Sequence, residues 1–219
     1  MKKFLFALVC ILCLPLLSSC KKTVCDESLI SQLKPNIFYY EEDDFKIYAF
    51  PETSENPLVS DGFVGKKESF LTFKLFLPSK STLLVVPNIK VCLYDEEYSS
   101  QFDYDTSSNY LLCKIKAEEL PEENFFAKLD LNGKTHDVEF SSLKQTNNFD
   151  YKDAVKLTLS SNDKTVKKLV SEGKSYEIRV KLIESEGFNY WVVGIIGESE
   201  SVSLLFDAEN GELIATKNN

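Results

Sequence analysis

Short segments in which apolar and polar residues alternate recur along this chain, and this pattern most restricts the folds that it can adopt. The clearest segment is 176–182, where Tyr176, Ile178, Val180 and Leu182 alternate with charged residues. Successive side chains of a β-strand point to opposite faces of a sheet, so this pattern is typical of a strand buried on one face. A mainly β fold is therefore expected.

The clearest hairpin is predicted at residues 126–131 and 135–140. Asn132-Gly133 lies between them and suits the positive φ angles of a type I′ turn. Further strand-like runs are found at 46–50, 70–77, 83–94, 110–116, 155–159, 189–196 and 201–206. Nine or ten short strands predict an antiparallel β-sandwich of immunoglobulin-like or related topology.

One short helix is predicted near residues 162–173. Asn162 or Asp163 can cap its first turn, an apolar stripe follows, and Gly173 is expected to end it. The order of strand, helix and strand over 154–183 resembles the connection between opposing sheets in some immunoglobulin-like domains.

The first residues are typical of an export signal. Lys2 and Lys3 precede a 14-residue apolar run from Phe4 to Leu17. A membrane-spanning helix needs roughly 20 apolar residues, so this run is too short to remain as a span. We expect it to be removed.

Leu17, Ser18, Ser19 and Cys20 resemble the bacterial lipobox, in which an aliphatic and two small residues precede a cysteine. The resemblance implies cleavage before Cys20 and acylation of its sulfur, with the lipid bilayer as partner. Lys21 stands where an aspartate retains some lipoproteins at the inner membrane. The outer membrane or cell surface is therefore favoured over the periplasmic face of the inner membrane.

These signals divide the chain into a signal peptide (1–19), a tether (20–36) and a β-rich domain (37–219), with a sub-boundary near 142–152. After cleavage 23 basic residues remain against 34 acidic ones, a net charge of −11. Nucleic-acid binding depends on basic patches, so nucleic acid is not an expected partner. Arg179 is the only arginine, which makes bidentate phosphate recognition less accessible.

Three cysteines remain besides Cys20, namely Cys25, Cys92 and Cys113. An exported location permits disulfides, and Cys92–Cys113 is the natural candidate pair. Such a bond requires directly paired strands, and a strand from Ser99 to Tyr104 between the two cysteines would prevent it. Two buried free thiols are the alternative.

Catalytic and metal-binding patterns are scarce. His136 is the only histidine and is expected to be exposed on the polar face of the hairpin. A multi-histidine metal site is therefore impossible, and neither HExxH nor GxSxG occurs. We expect no catalytic residue, no metal and no cofactor.

Carboxylates are clustered in three short segments. A close pair would suit glycoside hydrolysis and a cluster could bind calcium, but charge runs are usually solvated loops, which we expect here. The clustered acids are Asp95, Glu96, Glu97, Asp103, Asp105, Glu118, Glu119, Glu122 and Glu123.

Two further segments bear on function. Phe206 to Leu213 resembles the closing strand and turn of PepSY-type domains, a resemblance that implies regulation of an envelope protease. Phe188, Tyr190 and Trp191 could form a stacking platform for sugars or peptides, although core packing is the default role of such residues.

The favoured function is a non-catalytic binding or structural role in the cell envelope, with a protein or another envelope component as partner. The alternatives are a carrier of a small hydrophobic ligand, a PepSY-like regulator of an envelope protease, and a carboxylate-based envelope hydrolase.

Overall fold

The computed structural model describes residues 25–78, 83–103, 109–144, 149–171 and 175–218. These residues form thirteen strands and two α-helices, and a 3₁₀ turn spans Glu27–Leu29. The mainly β fold is confirmed. The strands are β1 (Ile30–Lys34), β2 (Phe38–Glu42), β3 (Phe45–Glu55), β4 (Lys67–Phe76), β5 (Asn88–Leu93), β6 (Glu96–Gln101), β7 (Leu111–Lys116), β8 (Phe125–Leu131), β9 (Lys134–Ser142), β10 (Tyr176–Ser185), β11 (Phe188–Gly197), β12 (Ser201–Asp207) and β13 (Leu213–Asn218). The helices are α1 (Tyr151–Leu159) and α2 (Lys164–Ser171).

The strands follow one continuous path of hydrogen-bonded neighbours, in the order β13-β12-β11-β10-β1-β3-β2-β9-β8-β5-β6. β4 pairs with β3 and β7 beside this path. The β1–β10 pair is parallel, and the other strand pairs are antiparallel. Long β3 pairs with β2 through its first half and with β1 near its end, so it belongs to both halves of the molecule.

β2 to β9 form the first lobe, which is sandwich-like. Inward side chains from β2, β3, β4 and β7 and from β5, β8 and β9 share one hydrophobic core. Phenylalanine rings fill its centre: Phe125 stacks on Phe140 with centroids 4.7 Å apart, and Phe38 meets Phe125 edge-on at 5.0 Å. The predicted hairpin is β8–β9, with Asn132 at φ 52° and Gly133 at φ 82°.

β1, α1, α2 and β10 to β13 form the second lobe, which has a core of its own. The two helices pack against β10, β11 and β12. Trp191, Val193 and Ile195 of β11 point into this core. In sequence, residues 143–150 separate the first core from the helices of the second, and this segment overlaps the sub-boundary expected near 142–152.

The expected strand face at Val155, Leu157 and Leu159 is wrong, because residues 151–159 form helix α1. Its buried residues are Ala154, Val155 and Thr158, which follow helical spacing, whereas Leu157 is 43 % exposed. The expectation of a single helix is therefore wrong as well. The Asp150 carboxylate caps α1 by accepting hydrogen bonds from Lys152 N and Asp153 N at 2.8 and 3.1 Å.

The helix expected near 162–173 is present as α2. Asp163 is its cap, because its carboxylate accepts from Thr165 N at 2.8 Å and Val166 N at 3.1 Å. Gly173, the expected stop, lies outside the described residues.

Part of the segment assigned to the tether belongs to the folded domain. Residues 30–34 form β1, with β10 on one side and β3 on the other. A register shift between Ile30 and Gln32 interrupts the alternation of this short strand, which explains why the sequence pattern did not reveal it. The folded domain therefore begins before residue 37.

Candidate functional site

Five aromatic side chains lie together on the side of the first-lobe strands that points away from the first core, and we call them the aromatic face. Ile47, Ala49, Phe73 and Leu75 of β3 and β4 point into the core, so the residues that alternate with them point outward. All five members are half-buried. The members are Tyr39 of β2, Tyr48 and Phe50 of β3, Phe76 of β4, and Tyr110 just before β7.

The rings of the aromatic face contact one another in a continuous chain. Tyr39 and Tyr48 have centroids 4.8 Å apart, and Tyr48 stacks nearly parallel on Phe50 at 6.2 Å. Phe76 meets Tyr48 edge-on at 5.7 Å and is tilted against Tyr110 at 5.5 Å. Mutual packing of this kind holds the rings in fixed orientations, with part of each ring still accessible.

Lys74 adds a positive charge to this surface. Its Nζ lies 4.6 Å from the Tyr110 centroid and 5.4 Å from the Phe50 centroid. A cation over aromatic rings contributes about 0.5–1 kcal/mol at exposed sites. The Lys74 ammonium thus stabilises the aromatic face and supplies hydrogen-bond donors.

The phenols of Tyr39 and Tyr48 are held in their neutral form. Burial raises the pKa of Tyr39 far above its usual value, and the hydrogen bond to Glu41 and the charge of Glu184 raise it further. Burial and then Glu184 likewise raise the pKa of Tyr48. Because Glu184 belongs to β10, and because Tyr48 and Phe50 also pack against the second core, the aromatic face lies where the two lobes meet.

This arrangement is suited to binding. Flat rings offer stacking area, and the phenol, ammonium and carboxylate groups around them can orient a ligand through hydrogen bonds. Tyr and Trp are enriched among the residues that dominate binding energy in interfaces. The sequence signal for the aromatic face was weak, because Phe and Tyr in strands usually form core.

The stacking platform expected at Phe188, Tyr190 and Trp191 is not formed. Trp191 is 1 % exposed, and its indole Nε1 donates to Phe149 O at 3.4 Å. Phe188 is 58 % exposed at the beginning of the same strand. Tyr190 and Trp191 are neighbours in a strand and point to opposite faces, so the three rings do not share a surface.

The carboxylates that were clustered in sequence are exposed, as expected. Asp95, Glu96 and Glu97 lie at the β5–β6 turn, and the acids of residues 118–123 lie in the loop before β8. Asp103 is exposed as well, and Asp105 lies outside the described residues.

A different acid pair is buried between the lobes. Glu55 ends β3 and is 5 % exposed, and Glu177 of β10 is fully buried. Gly65 N donates to Glu55 Oε2 at 2.7 Å, and Arg179 Nη2 donates to Glu177 Oε1 at 2.7 Å. The remaining oxygens, Glu55 Oε1 and Glu177 Oε2, have no hydrogen-bond partner within the part of the chain that the structure describes.

The two carboxyl groups affect one another. Burial raises the pKa of Glu177, and the neighbouring carboxyl group of Glu55 acts in the same direction. The nearby Ser31 and the charge of Arg179 oppose this rise without cancelling it. A neutral Glu177 can donate its proton to Glu55, which would pair both remaining oxygens.

The acid pair lies beneath the segment 56–66, which connects β3 to β4. Besides binding Glu177, Arg179 Nη2 donates to Val59 O at 2.8 Å and to Ser60 Oγ at 2.9 Å. The pair therefore fixes this connection to the second lobe. Glu55 and Glu177 lie far apart in sequence, and the alternation at 176–182 predicted that Glu177 would face solvent.

The expectation of an exposed His136 is wrong. The residue is 9 % exposed, and its Nδ1 lies 2.9 Å from Glu42 Oε2. Its side chain shares the inward face of β9 with Val138 and Phe140, and the ring of Phe45 meets it edge-on at 5.1 Å. A surface cleft of about 430 Å³ adjoins the histidine.

Cys25, Cys92 and Cys113 are free thiols. Cys92 is exposed on β5, which pairs with β6 and β8, whereas Cys113 is buried on β7, which pairs with β4. The two cysteines are not on paired strands, so the arrangement does not agree with a Cys92–Cys113 bond. The alternative expected two buried thiols, but only Cys113 is buried. Burial raises the pKa of the Cys113 thiol. Cys20 lies outside the described residues.

A cleft of about 810 Å³ opens at one end of the first lobe. Its lining includes Asn88, Gln101, Asp103 and Lys114, so it is mostly polar. An apolar cargo would bind more favourably in an apolar chamber. The centre of this lobe is instead filled by phenylalanine rings.

Within the described ranges, no group of three or more His, Cys, Asp or Glu side chains is arranged to hold a metal ion. None of the helices in those ranges is long and apolar enough to cross a bilayer. Comparison with known proteins gives no match, whether to family models, to curated proteins or to solved structures.

Proposed function

We propose that this protein is a lipid-anchored, non-catalytic binding protein of the bacterial cell envelope. Its anchor would be an acylated Cys20, and its aromatic face would contact a protein or another envelope component. The lipobox-like residues 17–20 support the location. The aromatic face is the observation that carries the binding role.

An outward sheet face is usually polar in a protein with its other face in the core. Here five rings are contiguous on that face, although the protein as a whole is strongly acidic. Contiguous apolar surface of this kind is typical of interaction sites. The ordered rings also lose little conformational freedom on binding, which favours affinity.

The anchor is tested by cell fractionation and by mass spectrometry of the mature amino terminus. We expect an acylated Cys20 as the first residue and release from membranes only with detergent. Cys20→Ala is the matched control, because it removes the acylated sulfur and leaves the folded domain unchanged. An unmodified amino terminus at another residue would contradict the proposal.

The binding role is tested by crosslinking in intact envelopes, followed by purification of the lipoprotein. Phe76→Ser and Tyr110→Ala should each lower recovery of the crosslinked component, since loss of a binding hot spot costs about 2 kcal/mol or more, about 30-fold in affinity. Phe126→Ala is the matched control, because Phe126 is 65 % exposed on β8, outside the aromatic face. Equal recovery with all variants would exclude a role for the aromatic face.

A PepSY-like regulator of an envelope protease is the second candidate. It is supported by the packing of α1 and α2 on β10 to β12 and by the turn expected between Phe206 and Leu213. In that turn the Asp207 carboxylate accepts from Glu209 N at 2.7 Å and from Asn210 N at 3.2 Å. Added purified protein should then change the protease activity of envelope extracts, and unchanged activity would count against this candidate.

A further inference from the structure

We infer that the helical layer of the second lobe, formed by α1 and α2, lies against the anionic surface of the bilayer. This inference rests on the proposed lipid anchor at Cys20. It adds an orientation to that anchor and names anionic lipid headgroups as a second partner of the folded domain.

The length of chain between the anchor and the domain sets the first constraint. Cys25, where the described structure begins, is the fifth residue after Cys20. A fully extended chain covers at most about 3.6 Å per residue, so Cys25 can lie no more than about 18 Å from the acylated cysteine. The part of the domain next to Cys25 is therefore held close to the lipid headgroups.

Cys25 lies beside α1. It is half-buried against the second core. Burial raises the pKa of its thiol, and the ammonium groups of Lys152 and Lys156 act in the opposite direction, which places both lysines of α1 near it. Glu27 Oε1 lies 2.6 Å from Lys152 Nζ and joins the amino-terminal segment to the same helix. The anchored end of the domain is thus its helical side.

Charge is distributed unevenly between this side and the rest of the molecule. Residues 149–171 contain five lysines and three aspartates, a net charge of +2, whereas residues 38–142 contain ten lysines and twenty acidic residues, a net charge of −10. An anionic membrane attracts nearby lysines by about 1 kcal/mol each and repels carboxylates. Both effects turn the helical layer toward the membrane and the first lobe away from it.

The lysines of the helical layer are available at its surface. All five are exposed, and Leu157 between them is 43 % exposed. Ion pairs join Lys152 to Glu27, Lys156 to Asp153 and Lys168 to Glu200. Exposed pairs of this kind are worth only about 0.2–1 kcal/mol, so headgroup phosphates can compete for the ammonium groups. The five are Lys152, Lys156, Lys164, Lys167 and Lys168.

Lysine labelling of the acylated protein tests the orientation without any substitution. The protein is inserted into neutral detergent micelles, into phosphatidylcholine vesicles, and into vesicles containing about 30 % phosphatidylglycerol. It is then acetylated briefly and digested for mass spectrometry. Lys90 and Lys128, which are exposed on the first lobe, serve as internal controls.

We expect acetylation of the five helical-layer lysines to fall several-fold in the anionic vesicles, while Lys90 and Lys128 react equally in all three. Added salt should reduce the protection, because charges at a surface are screened. Equal acetylation of the five helical-layer lysines in micelles and in anionic vesicles would overturn the inference. Equal protection of these lysines in the phosphatidylcholine vesicles and in the anionic vesicles would also overturn it. An acylated Cys20 in either case would leave the anchor intact, whereas a chain without acylation would refute the proposed function itself.

Discussion

Glu177 and Arg179 lie two positions apart on the same face of β10, and Arg179 Nη2 donates to Glu177 Oε1 at 2.7 Å. The Glu177 side chain is fully buried, and the carboxyl group of Glu55 lies next to it. The Arg179 guanidinium therefore pairs with one of two neighbouring carboxyl groups. Burial and the neighbouring Glu55 raise the pKa of Glu177, since full ionisation would leave one negative charge without a counterion.

The contribution of Glu177 to the free energy of unfolding should fall as the pH rises from the acidic range. Glu177→Gln should remove this pH-dependent contribution, because glutamine does not titrate. The folded pKa of Glu177 is raised above its ordinary value of 4.5. Its contribution to stability is thus complete below that value and is lost as the pH rises through the folded pKa. Thermal unfolding of the wild type and of Glu177→Gln at about pH 5, 6.5 and 8 measures the difference in their stability. The titration of the other groups is common to both proteins and cancels in this difference.

The advantage of the Glu177→Gln variant over the wild type should increase with pH. Glu55 and Arg179 are the charged groups that face Glu177, and both remain in the variant. A difference that stays constant across this pH range would show that Glu177 has the same affinity for protons in the folded and the unfolded chain.

Arg179→Ala should lower the free energy of unfolding by about 1–3 kcal/mol, because it leaves the buried acceptor Glu177 Oε1 without its donor. The variant also loses the bond to the exposed Val59 carbonyl in the segment between β3 and β4. Removing the positive charge should also make stability fall more steeply with pH. Lys181→Ala on the same strand is the control, since Lys181 is exposed. Urea unfolding measures the free energy of unfolding of both variants, and an equal decrease in the two would contradict the prediction.

The thiols should differ in reactivity. Cys92 is exposed and should react with iodoacetamide in the native protein without prior reduction. Cys113 is 1 % exposed, and burial raises the pKa of its thiol, so it should react only after unfolding. Mass spectrometry of labelled peptides distinguishes the two. If neither cysteine reacts in denaturant until a reductant is added, they are joined by a disulfide.

Phe140→Ala should lower the free energy of unfolding by about 3–5 kcal/mol, the usual cost of removing a buried aromatic ring. Phe140 is fully buried and packs against Phe73 at 5.6 Å and Phe125 at 4.7 Å. Phe126→Ala, at an exposed position of the neighbouring strand, should change it by less than about 0.5 kcal/mol. Urea denaturation of both variants measures this. Similar losses would mean that the first-lobe core is not centred on these rings.

Local sequence patterns predicted the elements whose cause is local. The hairpin at Asn132-Gly133 needs two positive φ angles, which those residue types adopt readily. Asp163 caps α2 because its short carboxylate reaches the first free backbone amides. The alternation at 176–182 marked β10 because one face of this strand meets the helices and the other does not.

Features that depend on distant residues were not predictable in this way. The apolar residues of α1 alternate at 155, 157 and 159, but the helix buries Ala154, Val155 and Thr158 against β10 and β11. The acid pair requires β3 and β10 to approach each other, and no local pattern encodes that contact. The aromatic face likewise depends on which side of β3 became the outer one.

β1 is the first strand after the expected anchor and lies between β3 and β10. Tension that arrives from the amino-terminal side is therefore carried by hydrogen bonds along both flanks of an interior strand. The hydrogen bonds of β1 to β3 and β10 would then be loaded together in shear. At an edge strand, by contrast, such bonds can open one after another. Load from the proposed anchor would thus enter the domain at an interior strand, with both lobes sharing the force.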